Sequence, residues 1–115
     1  MPLVEVTHDA DVPVAVLDVL VRVLPHAVSS AVECPEEPYD HDLQPGDVEL
    51  RFRARGPRDV GGLPVTVEIR SKWFESRARD RQERCSTLAR TLADATGTRV
   101  GVYLSLPVVG WGEAP

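Results

Sequence analysis

The chain has 115 residues, 43% of them hydrophobic, and a formal net charge of −5. That length suits one domain spanning 1–115 and is short for two, while the acidic balance argues against a dedicated nucleic-acid binder. Its two cysteines, Cys34 and Cys85, show neither metal nor redox spacing nor a secreted disulfide framework, and no basic segment precedes an early apolar run as in a signal peptide, so a reduced, cytoplasmic protein is expected.

The chain opens Met1-Pro2-Leu3-Val4-Glu5-Val6-Thr7. If Met1 is removed, Pro2 acquires a free secondary amine, a group that proline has nowhere else in a chain. An α-amino group titrates near ~7.7–8. An apolar pocket or a nearby cation lowers that value, which leaves the amine neutral and able to accept a proton. Leu3 to Thr7 reads as a short strand that would hold this amine at the end of a sheet. Asp11 stands where it can cap a helix opening at Val12-Pro13, and proline is favoured in a first turn.

Val16, Leu17, Leu20, Val21, Val23, Leu24, Ala27, Val28, Ala31 and Val32 follow at helical spacing. Asp18 and Arg22 share one face at i, i+4, and Pro25 should kink or divide the helix. The run from Val12 to Val32 is long enough to raise a membrane span, which wants ~20 apolar residues with few charges. Asp18, Arg22, Pro25 and His26 argue instead for a helix buried against a sheet, with no membrane partner.

Cys34 to Asp47 is a proline-rich, acidic loop without periodicity. Cys34, Asp40, His41 and Asp42 lack the spacing of a zinc site, so the loop is read as solvated and metal-free. Val48 to Arg55 alternates strictly, as does Val65 to Arg70, and each reads as a half-buried strand. The turn between them, Gly56 to Gly62, has no phosphate-loop pattern. The two strands are expected to pair as a hairpin. A second helix is expected from Phe74 or Ser76 to Ala95, with Ala78, the stem of Arg81, Cys85, Leu88, Ala89, Leu92 and Ala95 inward and Arg77, Arg79, Arg84 and Arg90 along its outer faces. Gly97 ends it. Val100 to Leu106 is a last strand, followed by a tail containing Val109-Gly110-Trp111.

The order strand, helix, strand occurs twice, which makes two β-α-β units. Four features, in this order along the chain, resemble ones found in members of the tautomerase superfamily. They are Met1-Pro2, Val12-Pro13 opening the first helix, Ser76-Arg77-Ala78 opening the second, and Val109-Gly110-Trp111 near the end. The resemblance runs from Pro2 to Trp111 and takes in the 4-oxalocrotonate tautomerase, 5-(carboxymethyl)-2-hydroxymuconate isomerase and macrophage migration inhibitory factor groups. It implies an α/β (α+β) fold with a four-stranded mixed sheet and two helices on one face. It also implies a homotrimer and keto–enol isomerisation of a small 2-hydroxy-dienoate or α-keto acid, without cofactor.

By the same resemblance Pro2 is the base and then the acid. Arg77, by its motif position, holds the substrate carboxylate, as arginine does bidentately, and Ile69 resembles an apolar site-lining position. From the residues themselves, Tyr103, on the strand face of Gly101 and Ser105, can donate to the developing enolate oxygen, and Trp111 can supply an apolar wall that lowers the Pro2 pKa. Arg51, Arg53 and Arg70 lie on a polar sheet face, where they are expected to pair with Glu49 and Glu68. The sequence departs from the family at His8-Asp9-Ala10-Asp11, in the 34–47 loop, and at Gly101 and Tyr103, so substrate specificity does not carry over. Two alternatives stand beside this expectation. One is a non-catalytic trimer that binds a small acid or a protein. The other is a proline-dependent hydratase or dehalogenase of unsaturated acids, which needs a water-activating carboxylate near Pro2.

Overall fold

The structure, a computed structural model, describes residues 2–115. Its elements are β1 (Leu3–His8), α1 (Val14–Val32), β2 (Glu49–Ala54), β3 (Val65–Arg70), α2 (Glu75–Ala78), α3 (Arg81–Thr96) and β4 (Val100–Ser105). The sheet order is β2-β1-β3-β4. β1 runs parallel to β2 and antiparallel to β3, and β3 runs parallel to β4. Each half is therefore a parallel pair joined by a helical crossover, and the halves meet along β1 and β3.

This corrects the expected hairpin. β2 and β3 never pair, because β1 lies between them. Alternation reports that a strand is half-buried, but it does not report which strand lies beside it.

The pleat sends Val4, Val6, Val65, Val67, Ile69 and Val100 to the helix side, where all are buried. α1 meets them with Leu20, Leu24, Val28 and Val32, and α3 with Leu88 and Leu92. The four residues from α1 recur every fourth position, one ridge along one face of a helix. Each fully buried Leu or Val stabilises the fold by about 1.5–3 kcal/mol before entropy is counted.

α1 continues through Pro25 undivided. Proline there removes one helical hydrogen bond, at a cost of roughly 3 kcal/mol. Leu24 and Val28, fully buried on either side of Pro25, hold the helix on the sheet. Pro13, not Asp11, occupies the N-cap of α1, and no side chain caps that end. The second helix is broken in two: α2 ends at Ala78, and α3 begins at Arg81 after Asp80 leaves helical geometry (φ −120°, ψ 29°). Gly97 ends α3 in the left-handed conformation (φ 69°), with its N–H bonded to Ala93 O, as a C-terminal glycine should. Ala95 and Arg81 are exposed, not inward.

Candidate functional site

Pro2 stands at the start of the central strand β1. Its carbonyl accepts a hydrogen bond from Glu49 N at 3.1 Å, which fixes it beside the entry to β2. The segment after β3 approaches from the other side, since Leu3 faces Arg70 in register and Ser71 follows. The C-terminal turn of α1 and the 34–47 loop close the space above. The result is a cleft of about 280 Å³ whose lining includes Pro2, Ser29, Ser71 and Arg77 together with residues of that loop. A larger groove of about 680 Å³ runs between α1, α3 and the start of the loop, but Pro2 does not line it. The chemistry-bearing groups favour the smaller cleft.

Arg77 is 2% exposed, not a solvated residue on an outer helix face. Its Nε donates to Val32 O at 2.5 Å, and its Nη1 donates to Ser71 Oγ at 3.0 Å and Lys72 O at 2.7 Å. Nη2 donates to Glu37 Oε1 at 3.2 Å. A helix ends with carbonyls that lack helical partners and carry partial negative charge. α1 has no basic residue in its own last turn, and Arg77 supplies a cation there from α2. Arg84 of α3 does the same, donating to Ala31 O at 2.8 Å and Glu33 O at 2.6 Å.

The 34–47 loop is more ordered than its composition predicts. Cys34 and Glu37 exchange backbone hydrogen bonds of 3.3 and 3.0 Å. Ser76 donates to Glu36 Oε2 at 2.6 Å, and this bond is the main reason the Glu36 carboxyl titrates below its ordinary value. Tyr39 OH meets Nδ1 of His26 on α1, and its ring lies 4.4 Å from that of His41. These ties bring Glu37, Asp40, Asp42 and Asp47 to the cleft. Arg77 is the one cation among the described residues that line it.

The cleft therefore joins Pro2 and Arg77, which lie far apart in sequence. Ile69 is 2% exposed on the helix side of the sheet and packs in the core. Tyr103 lies on the opposite sheet face, in register with Glu68, and is 67% exposed; Trp111 is 72% exposed in the tail. On that face Arg51 pairs with Glu5 at 3.7 Å and Glu49 at 3.4 Å. Whether Met1 is removed lies outside the described residues. Sequence reasoning missed Ser71 and the loop carboxylates as cleft residues. The acidic composition of the loop was visible, but its path over Pro2 depends on the Glu36–Ser76 and Tyr39–His26 contacts.

No family model and no curated protein sequence matches the chain. Solved structures do. Malonate semialdehyde decarboxylase superposes with a TM-score of 0.66 at 14% identity, over 98% of this chain and 92% of that one. N1, a member of the cis-3-chloroacrylic acid dehalogenase family, gives 0.62 at 12% identity, over 92% of this chain and 75% of that one. A fused 4-OT asymmetric trimer gives 0.62 at 16% identity, over 96% of this chain and 92% of that one. At these identities the likeness is one of fold: the chain has the fold of the tautomerase superfamily.

Proposed function

We propose that this chain, which has the tautomerase-superfamily fold, is a keto–enol isomerase. Its substrates would be small 2-hydroxy-dienoate or α-keto acids, and the Pro2 amine, freed by removal of Met1, would be its base and then its acid. The observation that carries this reading is that Pro2 and the buried Arg77 line one cleft. The amine takes a proton from carbon or oxygen at one end of the substrate and returns it at the other. Arg77 holds the carboxylate, and the loop forms one wall of the cleft.

A homotrimer fits the sheet face away from the helices, where Glu5, Glu49, Glu68, Arg51, Arg53 and Arg70 balance in charge and Tyr103 stands exposed. One neighbour of the same fold is itself described as a trimer. In such an assembly the exposed Tyr103 would be available to pack between copies.

The test is ketonisation of the enol of phenylpyruvate, followed across pH, with mass spectrometry to identify the first residue. Activity that disappears in Pro2→Ala supports the reading. A chain that begins at Pro2 yet converts no enol removes it.

A second reading has its own observation. Asp40, Asp42 and Asp47 line the same cleft as Pro2. A carboxylate there can activate water, as addition to an unsaturated acid requires. Hydration or dehalogenation of 3-haloacrylates by a chain inert toward enols would select this reading instead.

A further inference from the structure

Arg77 has five N–H donors in a fixed fork, and most are committed to groups that cannot leave. Val32 O and Lys72 O are backbone, and Ser71 is buried at 5% exposure. Glu37 differs: its side chain is 45% exposed, it lines the cleft, and it supplies the only carboxylate paired with Arg77 among the described residues. A buried guanidinium stripped of its counter-charge is strongly disfavoured. A carboxylate that approaches Arg77 from the cleft meets it at Nη2, the nitrogen that Glu37 already engages, so the two carboxylates compete for one cation and an exchange leaves the charge compensated.

We propose that Glu37 is an internal competitor for the carboxylate position of the cleft, so that it sets which acids the site accepts. This rests on the reading of the cleft as a carboxylate site. Glu37 can leave Arg77 by rotation of its own side chain. The turn that carries it stays closed through the two Cys34–Glu37 backbone bonds and the Glu36–Ser76 contact. The site then discriminates by difference. A weak or badly directed carboxylate loses to Glu37, while one that engages both Arg77 and the groups around Pro2 displaces it.

The test is Glu37→Gln, which keeps the size of the side chain and removes its charge. Fumarate, which cannot tautomerise, is titrated calorimetrically against the full chain and the variant, with neutral fumaramide as control. Fumarate is expected to bind the variant about tenfold more tightly and to raise its melting temperature more than that of the unaltered chain. Fumaramide is expected to gain nothing. Equal fumarate affinity in the two proteins, no binding to either, or an equal gain for fumaramide would overturn the proposal. The outcome is separable from the enol assay. Tightening in Glu37→Gln without any ketonisation keeps this inference and removes the isomerase; ketonisation with unchanged fumarate affinity does the reverse.

Discussion

A Cβ placed on Gly62 would stand 2.7 Å from Nη2 of Arg55 and 3.3 Å from its Cζ. Gly62 also has φ +86°, a region that L side chains rarely adopt. Arg55 cannot easily retreat. Its Nη1 donates to Asp9 Oδ1 at 2.7 Å and Leu63 O at 2.6 Å, and Nη2 donates to Thr66 Oγ1 at 3.3 Å. This staple ties the end of β1 to the start of β3, at the opposite end of β1 from Pro2. Gly62→Ala is expected to cost about 1–3 kcal/mol, part backbone strain and part collision. Gly61→Ala is the control: φ is +85° there, but nothing lies within 4 Å of a built Cβ. Urea midpoints of the two variants separate strain from collision, and equal midpoints would show that Arg55 gives way freely.

Pro2→Ala leaves an N-terminal amine but loses the rigid ring that aims its lone pair. On the isomerase reading, enol ketonisation falls by about 10²-fold or more, while the thermal midpoint stays close to that of the unaltered chain. A rate unchanged in the variant would place the base elsewhere.

Asp80 Oδ1 accepts from Arg84 Nε at 2.6 Å, and this bond is the main reason the Asp80 carboxyl titrates below its ordinary value. The folded state therefore holds the proton less tightly than the unfolded chain does. The contribution to stability is present above the unfolded value near 3.8 and is lost as pH falls through the lower folded value. Asp80 is 46% exposed, so Asp80→Asn is expected to cost less than about 1 kcal/mol at pH 7 and to flatten the acid limb of a stability–pH curve. Arg84→Ala also strips the carbonyls of Ala31 and Glu33 at the end of α1 and should cost about 1–3 kcal/mol. A larger loss in Asp80→Asn than in Arg84→Ala would contradict this ranking.

Burial raises the titration of the Cys85 thiol above its ordinary value. Since the thiolate is the reactive form, iodoacetamide should modify Cys85 more slowly than a free cysteine at pH 8. Buried Cys34 should react only as the chain unfolds. Peptide mapping of the labelled protein distinguishes the two, and rapid labelling of either thiol in the native chain would refute the assignment.

Leu92 is fully buried between α3 and the sheet. Leu92→Ala is expected to cost about 2–5 kcal/mol, which chemical denaturation would measure directly.

The strands and the long apolar helix were legible because pleat and helix each impose a period on the sequence. The partners of β2 were not legible, since β1 enters between β2 and β3 from far upstream. Arg77 illustrates a second limit. At the sequence level it is a charged residue in a basic stretch, and its burial depends on carbonyls at the end of α1 that only the folded chain brings within reach. Ile69 shows the converse: its place in a strand was readable, and its inward direction follows from the alternation with Glu68 and Arg70. The ordering of the 34–47 loop over Pro2 left no periodic trace, because single contacts such as Glu36–Ser76 establish it.

The central position of β1 has a consequence for how the protein is made. β1 precedes β2 and β3 in the chain, yet its second edge is filled only when β3 pairs with it. A nascent chain that has emerged only as far as β2 carries half a sheet, with the β1 edge unpaired. Such an edge is a template for another nascent chain on the same messenger. Pairing of β3 covers that edge, and the outer edge of β3 is in turn covered only by β4, the last strand of the sheet.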